Sequence, residues 1–386
     1  MREHKGTIIY VGGFEMPDRN AAAHRVLNNA YILKKLGYNV CFCGIDKTIN
    51  KTKKYAENML DFQNWPSNYP LNYKQWIFQM LDFSHIKNVL RNYKDVKYVI
   101  AYNMHVVPLF RLIQYCKKNN IKVYADITEW YENKFSLNPI KFIRFLDTEI
   151  VMKKLQKKVD GMLVISSMLK DYYKKSVSKI IVVPPLVNLD EEKWHNHKDI
   201  NMSKVIKFVY SGIPGTDKDK IGLIIEAFSK IKVNQKYLFN IVGISKKQFI
   251  EMYPQYLSSL EIVGEKVNFL GKVSHEDSIK YLLESDYCIF VRDKSRKNMA
   301  GFPTKFVECM TSNIRIIANN ISDIEIYFPH DKYSILLDDC NIDGLVYSLE
   351  QVFCISIDEL RKTRNQELCS CFDYRNWVQI FCELFE

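Results

Sequence analysis

The chain has little of what builds unusual scaffolds. Its 386 residues include only 14 glycines and 11 prolines, too few for a collagen-like or low-complexity protein. No internal repeat is evident. No apolar run approaches the roughly 20 residues that a membrane-spanning helix needs. The opening Met1-Arg-Glu-His-Lys-Gly6 runs straight into a strand-like segment, so no signal peptide is expected. Ten cysteines are scattered along the sequence. Cys41/Cys43 and Cys369/Cys371 stand one residue apart, a spacing that matches no zinc site. Free thiols in a reducing compartment are expected, which puts the protein in the cytoplasm.

What is present is ordinary globular composition with an uneven charge. Hydrophobic residues make up 47% and charged residues 26%, enough for two domains that each bury a core. The net charge is +11. Residues 1–190 carry 30 Lys+Arg against 16 Asp+Glu, whereas residues 191–386 carry 25 against 28. One basic half beside one near-neutral half points to an anionic partner for the first. Lys141 to Lys158 reads as a long helix with one apolar stripe and many lysines, either a solvated face or a surface for an anionic bilayer. No nucleic-acid reader motif is present, so nucleic acid is not an expected partner.

Hydrophobic patterning gives alternating strands and helices twice over. Thr7 to Gly13, a helix over Ala21–Leu36, then Tyr38 to Gly44 form a first unit of doubly wound α/β type. Strands follow at Tyr98–Asn103, Lys122–Asp126, Gly161–Ser167 and Lys179–Val183, with helices at 73–81, 86–93, 107–119 and 168–174. The loop after Lys122–Asp126 brings Asp126 and Glu129 to a strand's C-terminal end, where such sheets place binding groups. Each suits a base or a hydrogen-bond acceptor for a hydroxyl, or equally a helix cap. Pro184-Pro185 starts a polar linker over 189–204. A second α/β series begins at Val205–Gly212, with later strands at 239–243, 267–273, 286–292, 314–318 and 333–337. Arg292 stands at the mouth of one of them.

The most informative stretch is Asn298-Met-Ala-Gly-Phe-Pro-Thr-Lys-Phe-Val-Glu308. Gly301 and Pro303 punctuate a polar lead-in, a helix runs from Thr304 to Met310, and Ile314 to Ala318 is a buried strand. Backbone N–H groups at a helix start attract phosphate. Lys305 in the first turn opposes its own helix dipole, a placement explained if an anion lies between them. Glu308, one turn on, suits sugar hydroxyls.

This segment resembles the donor site of the retaining glycosyltransferases of family 4. It is most similar to the surface-polysaccharide subset, in which a Phe-Pro-Ser/Thr-Lys run replaces the commoner pattern. The family's first glutamate falls at Ala300 here and is absent. Gly12-Gly13, Asn20-Ala-Ala-Ala-His-Arg25 and Gly37-Tyr-Asn-Val look like the family's N-terminal signature. The Gly212-Ile-Pro-Gly215 loop with Lys218-Asp219 looks like its second diphosphate clamp. The closing Phe372 to Trp377 and terminal helix resemble the element that crosses back to the N-domain.

The resemblance implies a GT-B α/β fold of two doubly wound Rossmann-like domains facing each other across a cleft. The expected domains are 1–188, with 372–386 packing back on it, and 189–371. The activity implied is transfer of a sugar, with retention, from a UDP- or GDP-sugar to a saccharide or lipid-linked saccharide. Lys305 and Lys218, with Lys220 as the alternate, and Arg292 would face the diphosphate. Asn298, Gly301, Phe302, Pro303, Thr304, Gly212 and Glu308 would shape the donor site, with Glu308 on the ribose. Gly13, Asn20 and Arg25 would approach the donor from the other domain, the alternatives being a helix cap and a solvated arginine. Asp126 and Glu129 would act on the acceptor. No metal and no separate cofactor are expected, since two lysines and a helix start replace the ion of transferases that use an Asp-x-Asp motif. The expected location is cytoplasmic or peripheral on the cytoplasmic face of the membrane. The rival readings are a GT-B epimerase acting on a nucleotide sugar and an inactive GT-B-like partner subunit.

Overall fold

The computed structural model describes residues 4–17, 19–131, 135–195, 204–215, 218–233, 235–329, 331–362 and 368–385. Two expected features lie partly outside them: the opening residues 1–3 and the linker residues 196–203. The chain divides into two compact units, Met1–Asn188 with Asp373–Glu386, and Leu189–Phe372.

The first unit is built on β1 (Thr7–Gly12), β2 (Asn39–Cys43), β3 (Glu57–Met59), β4 (Phe62–Asn64), β5 (Val96–Tyr102), β6 (Lys122–Ile127), β7 (Gly161–Val164) and β8 (Ile180–Val182). Their order is β8-β7-β6-β5-β1-β2-β4-β3, parallel except for the β3–β4 pair. The central strands are apolar on both faces, as parallel strands covered by helices must be; Ile8, Ile9 and Tyr10 of β1 are fully buried. Helix α1 (Ala21–Lys35) crosses from β1 to β2. Its start is capped by Asn20, whose side chain accepts from Ala23 N, and Lys34 and Lys35 favour its carbonyl end. Further helices are α2 (Tyr73–Leu81), α3 (Val106–Lys118) and α4 (Pro139–Ile150). The long helix expected from Lys141 stops being regular at Val151, where a wider turn and then a tight one carry the chain to Lys158. The short pair β3–β4 is absent from the sequence reading because three-residue strands carry no periodicity.

The terminal helix Val378–Phe385 belongs to this unit. Its last carbonyls, which no helix can satisfy internally, accept hydroxyls from Tyr38, Tyr98 and Tyr124 at 2.9–3.0 Å. The Phe385 ring lies 5.2 Å from Tyr98 and 5.1 Å from Tyr124.

The second unit contains β9 (Ile206–Ser211), β10 (Tyr237–Val242), β11 (Val267–Gly271), β12 (Tyr287–Phe290), β13 (Arg315–Asn319) and β14 (Ile335–Leu337). All neighbours are parallel in the order β11-β10-β9-β12-β13-β14. That is the doubly wound dinucleotide-type order, which reverses direction between its first and fourth strands. The helices that matter below are α5 (Ile221–Lys230), α6 (His275–Leu283), α7 (Arg296–Ala300) and α8 (Thr304–Thr311). Residues 296–300, expected as a polar lead-in, form the turn α7, capped by Ser295. Two helices not expected, Lys246–Met252 and Leu257–Val263, follow β10.

Candidate active site

In the second unit the strand order reverses between β9 and β12, the place where open parallel sheets bind ligands beyond their C-terminal edge. Gly212, just past β9, has φ 130°, and a Cβ there would stand 3.5 Å from the Lys305 amine. A Cβ on Gly243 would meet the Gly212 carbonyl oxygen at 2.2 Å. Small residues therefore keep two loop backbones close together at this edge.

Three charged side chains converge there. Lys305, in the first turn of α8, places Nζ 2.8 Å from Asp219 Oδ2 and 3.9 Å from the centre of the Tyr210 ring. Arg292, two residues beyond β12, donates Nε to Asp219 Oδ1 at 2.5 Å. The Tyr210 hydroxyl donates to Asp219 Oδ2 at 2.7 Å. Lys305 and Arg292 are each 5% exposed and Asp219 3%. Asn319 holds the Arg292 backbone on both sides, accepting from its N–H at 2.8 Å and donating to its carbonyl at 2.9 Å.

Burial opposes the Asp219 charge, but Lys305 and Arg292 more than compensate and hold its carboxyl far below the usual range. Burial lowers the Lys305 pKa, and Asp219 restores only part of it. Burial and the neighbouring carboxylate keep Tyr210 protonated, hence a donor. With both cations and the carboxylate ionised, the cluster carries one net positive charge in a desolvated setting. Such a group is suited to binding a further anion.

The other expected residues of this unit fall around the cluster or apart from it. Lys218 lies in the turn before Asp219, its N–H bonded to Gly215 O at 3.3 Å. Lys220 occupies the N-cap position of α5 and pairs with Asp293 at 2.5 Å. Gly301 ends α7, and its carbonyl accepts from Ser322. The Phe302 ring is buried among Phe306, Tyr327 and Phe372. That packing makes Phe302 part of the hydrophobic support rather than a donor-facing group. Pro303 is the N-cap of α8, and Thr304 is exposed at its start. Asn298 is buried and donates Nδ2 to Asp293 O at 2.9 Å. Glu308 lies 3.3 Å from His275 Nε2 on α6. Ala300, where the family carries its first glutamate, is fully buried.

Sequence reasoning passed over Tyr210 and Asn319, and it named Asp219 beside Lys218 without giving it a role. The available signal was an aspartate beside a lysine in the loop after a strand. Asp217-Lys218-Asp219 is also, in letters, an Asp-x-Asp run. Asp217 lies outside the described residues, and the Asp219 carboxylate is already neutralised by two cations. That engagement does not fit a metal ligand.

In the first unit the structure redirects three expectations. Arg25 and Asp126 are 4% and 3% exposed and bound to each other, Nη2 to Oδ1 at 2.8 Å. Arg25 Nη1 also donates to Val183 O at 2.7 Å, and Asp126 accepts from Tyr10 and from Asn29. Burial opposes the Arg25 charge, yet Asp126 raises its pKa. The pair ties α1 to β6 and to the chain beyond β8, so a structural role replaces the donor and base roles read from sequence. Asn20 is spent as the α1 cap. Asp126→Asn should accordingly lower stability by about 3–5 kcal/mol by stranding a buried cation. Urea unfolding reads this, while nucleotide binding by the folded variant stays as in wild type.

Gly13 does line a cavity of about 700 Å³ at the C-terminal edge of β1 and β5, together with Lys74, Trp76, Asn103 and His105. Gly12 shapes it, since a Cβ there would fall 1.8 Å from Tyr102 O. His105 is oriented by Asp147 at 2.7 Å. Glu129, half-buried, follows the end of β6.

The fold is that of the GT-B glycosyltransferases, with two Rossmann-like domains. Residues 190–366, nearly all of the second unit, match the family model described as Glycosyl transferases group 1. Sucrose-phosphate synthase from Thermosynechococcus elongatus is similar in structure, with TM-score 0.70 at 14% identity over 98% of each chain. The lipopolysaccharide outer core galactosyltransferase WaaB in its apo form gives TM-score 0.60 at 14% identity, over 98% of this chain and 100% of that one. Anabaena HepE in complex with UDP and glucose gives 0.62 at 11%, over 98% and 99%. No curated protein matches the sequence. The family model matched by the second unit and the fold of the whole chain are thus both those of glycosyltransferases.

Proposed function

We propose that the protein is a retaining family 4 glycosyltransferase that moves a sugar from a UDP- or GDP-sugar to a saccharide or lipid-linked saccharide in cell-surface polysaccharide synthesis. The observation that carries this reading is the Lys305–Asp219–Arg292 cluster at the strand-order reversal of the second unit. Transfer breaks the bond between the anomeric carbon and the phosphate oxygen and forms one to the acceptor oxygen. Negative charge grows on the departing diphosphate, so preorganised cations beside it stabilise the transition state more than the ground state. Lys305 and Arg292 supply that charge, and the N–H groups at the start of α8 add a partial positive end. The acceptor hydroxyl approaches on the face the phosphate leaves, and its proton passes to the leaving phosphate oxygen. Configuration is thereby retained without a covalent enzyme intermediate. The charge of the cluster supports a reaction without a metal ion. Glu308 holds the ribose, Lys218 meets the diphosphate from the loop after β9, and Glu129 orients the acceptor hydroxyl. The basic half draws the enzyme to an anionic membrane on its cytoplasmic face.

A thermal-shift series with UDP, GDP, CMP and ADP and their sugars tests the donor. One nucleoside diphosphate should stabilise the protein by about 2.7 kcal/mol at a hundredfold excess over its dissociation constant. No shift with any nucleotide would sink the transferase reading and favour an inactive partner subunit.

A further inference from the structure

The first unit exposes an unusual amount of large apolar surface on two neighbouring helices. On α2, Tyr73, Ile77 and Leu81 are spaced four apart on one face and are 61%, 42% and 51% exposed, with Phe78 beside them at 69%. Among the described residues α2 buries only Met80, and α4 buries none of its own. On α4, Phe142, Ile143 and Leu146 are exposed, and Phe135 packs on Phe142 and Phe145 at 5.8 and 5.9 Å. The two helices adjoin: the Arg144 guanidinium lies 4.8 Å from the centre of the Trp76 ring, and Trp76 meets His105, which is bonded to Asp147 of α4.

The charges of this ridge are of one sign. Residues 71–81 and 135–146 contain Lys74, Lys141 and Arg144 and no acidic residue. The acidic groups bordering it include Asp147, held by His105, Glu149, paired with Lys153 at 2.5 Å, and Asp82, bonded to Ser84. Apolar side chains projecting among cations, with a bare helix face beneath, fit the interfacial zone of an anionic bilayer.

We infer that the α2–α4 ridge inserts its apolar side chains between the lipids of an anionic membrane, with Lys74, Lys141 and Arg144 at the headgroups. This rests on the membrane part of the preceding proposal and replaces general basicity with a defined surface. Trp76, Phe78 and Lys74 also line the cavity of the same unit, so an amphiphilic acceptor held in the bilayer enters directly beside the ridge.

The test uses the whole chain and vesicles of phosphatidylcholine with or without phosphatidylglycerol. Ile77→Ser/Ile143→Ser changes two exposed side chains; Lys141→Gln removes charge alone. Wild type should co-sediment with the anionic vesicles. The serine variant should lose affinity about tenfold or more and resist rescue by low salt, since the loss is apolar area. The glutamine variant should lose affinity chiefly at higher salt. Both variants should keep the nucleotide-induced thermal shift of wild type, which reads the donor site separately. The inference is overturned if wild type does not bind, or if the serine variant binds as wild type does. It is also overturned if sedimentation without vesicles shows a dimer that the serine variant abolishes, because a second copy would then cover the ridge.

Discussion

Lys305→Ala lowers sugar transfer by about 10²–10³-fold, the usual cost of removing one preorganised group from the place where charge develops. The loss falls mainly on kcat, because the diphosphate gains charge only as the sugar leaves. The variant is expected to fold: a buried ammonium costs free energy to desolvate, and Asp219 keeps its bond to Arg292. The wild-type pH profile carries the same signature. Burial lowers the pKa of Lys305, and the protonated form is the one that attracts diphosphate. Donor affinity in wild type therefore declines with rising pH before an ordinary lysine would titrate, near pH 10.4. Lys305→Ala, weaker throughout, lacks that decline. Calorimetric titration of the nucleoside diphosphate at several pH values, beside initial rates, distinguishes the two. An unaltered rate in the variant would remove Lys305 from the chemistry.

Asp219→Asn unfolds more easily than wild type by about 3–5 kcal/mol, a large share of the stability of an average domain. The reason is that two buried cations lose their shared anion and repel one another. It is tempting to expect tighter phosphate binding from the added net charge. The opposite is predicted, because Asp219 is what raises the Lys305 pKa against burial and what aims both cations. The pH dependence has a definite sign. The Asp219 carboxyl is depressed in the folded protein, so its contribution is complete above the unfolded aspartate pKa near 3.9. It is lost as pH falls toward the lower folded value. The gap between wild type and variant in urea unfolding should be constant from pH 7 to about 5 and narrow only in stronger acid. Adding Lys305→Met removes the repulsion and should recover part of the stability with no recovery of transfer. Equal stability of wild type and Asp219→Asn at pH 7 would contradict the account.

Two consequences follow for reading such chains. The buried charge of the candidate site lies in a triad, Lys305, Asp219 and Arg292, whose central member is an anion. The Arg25–Asp126 pair has the same construction in the first unit, yet there it fastens a helix to a sheet. Buried pairs of similar geometry thus differ in what their location offers a ligand: one stands at a strand-order reversal beside an open glycine, the other beneath a helix.

Local order was legible in the amino-acid sequence because it depends on neighbours in sequence. The apolar run over 206–211 made β9, the cap at Asn20 started α1, and Pro303-Thr304-Lys305 opened α8. Alternation of such strands with amphipathic helices is enough to imply parallel doubly wound sheets. The role of each charged residue was not legible, because it depends on a partner far along the chain. Lys305 meets Asp219 across 86 positions and Arg25 meets Asp126 across 101, and no periodicity records which carboxylate a cation will find. Only when the parallel strands bring their C-terminal ends to one edge do burial and distance assign each ion its counter-ion. By that step the tertiary structure made Lys305 a member of the candidate site and Arg25 a fastening of the core.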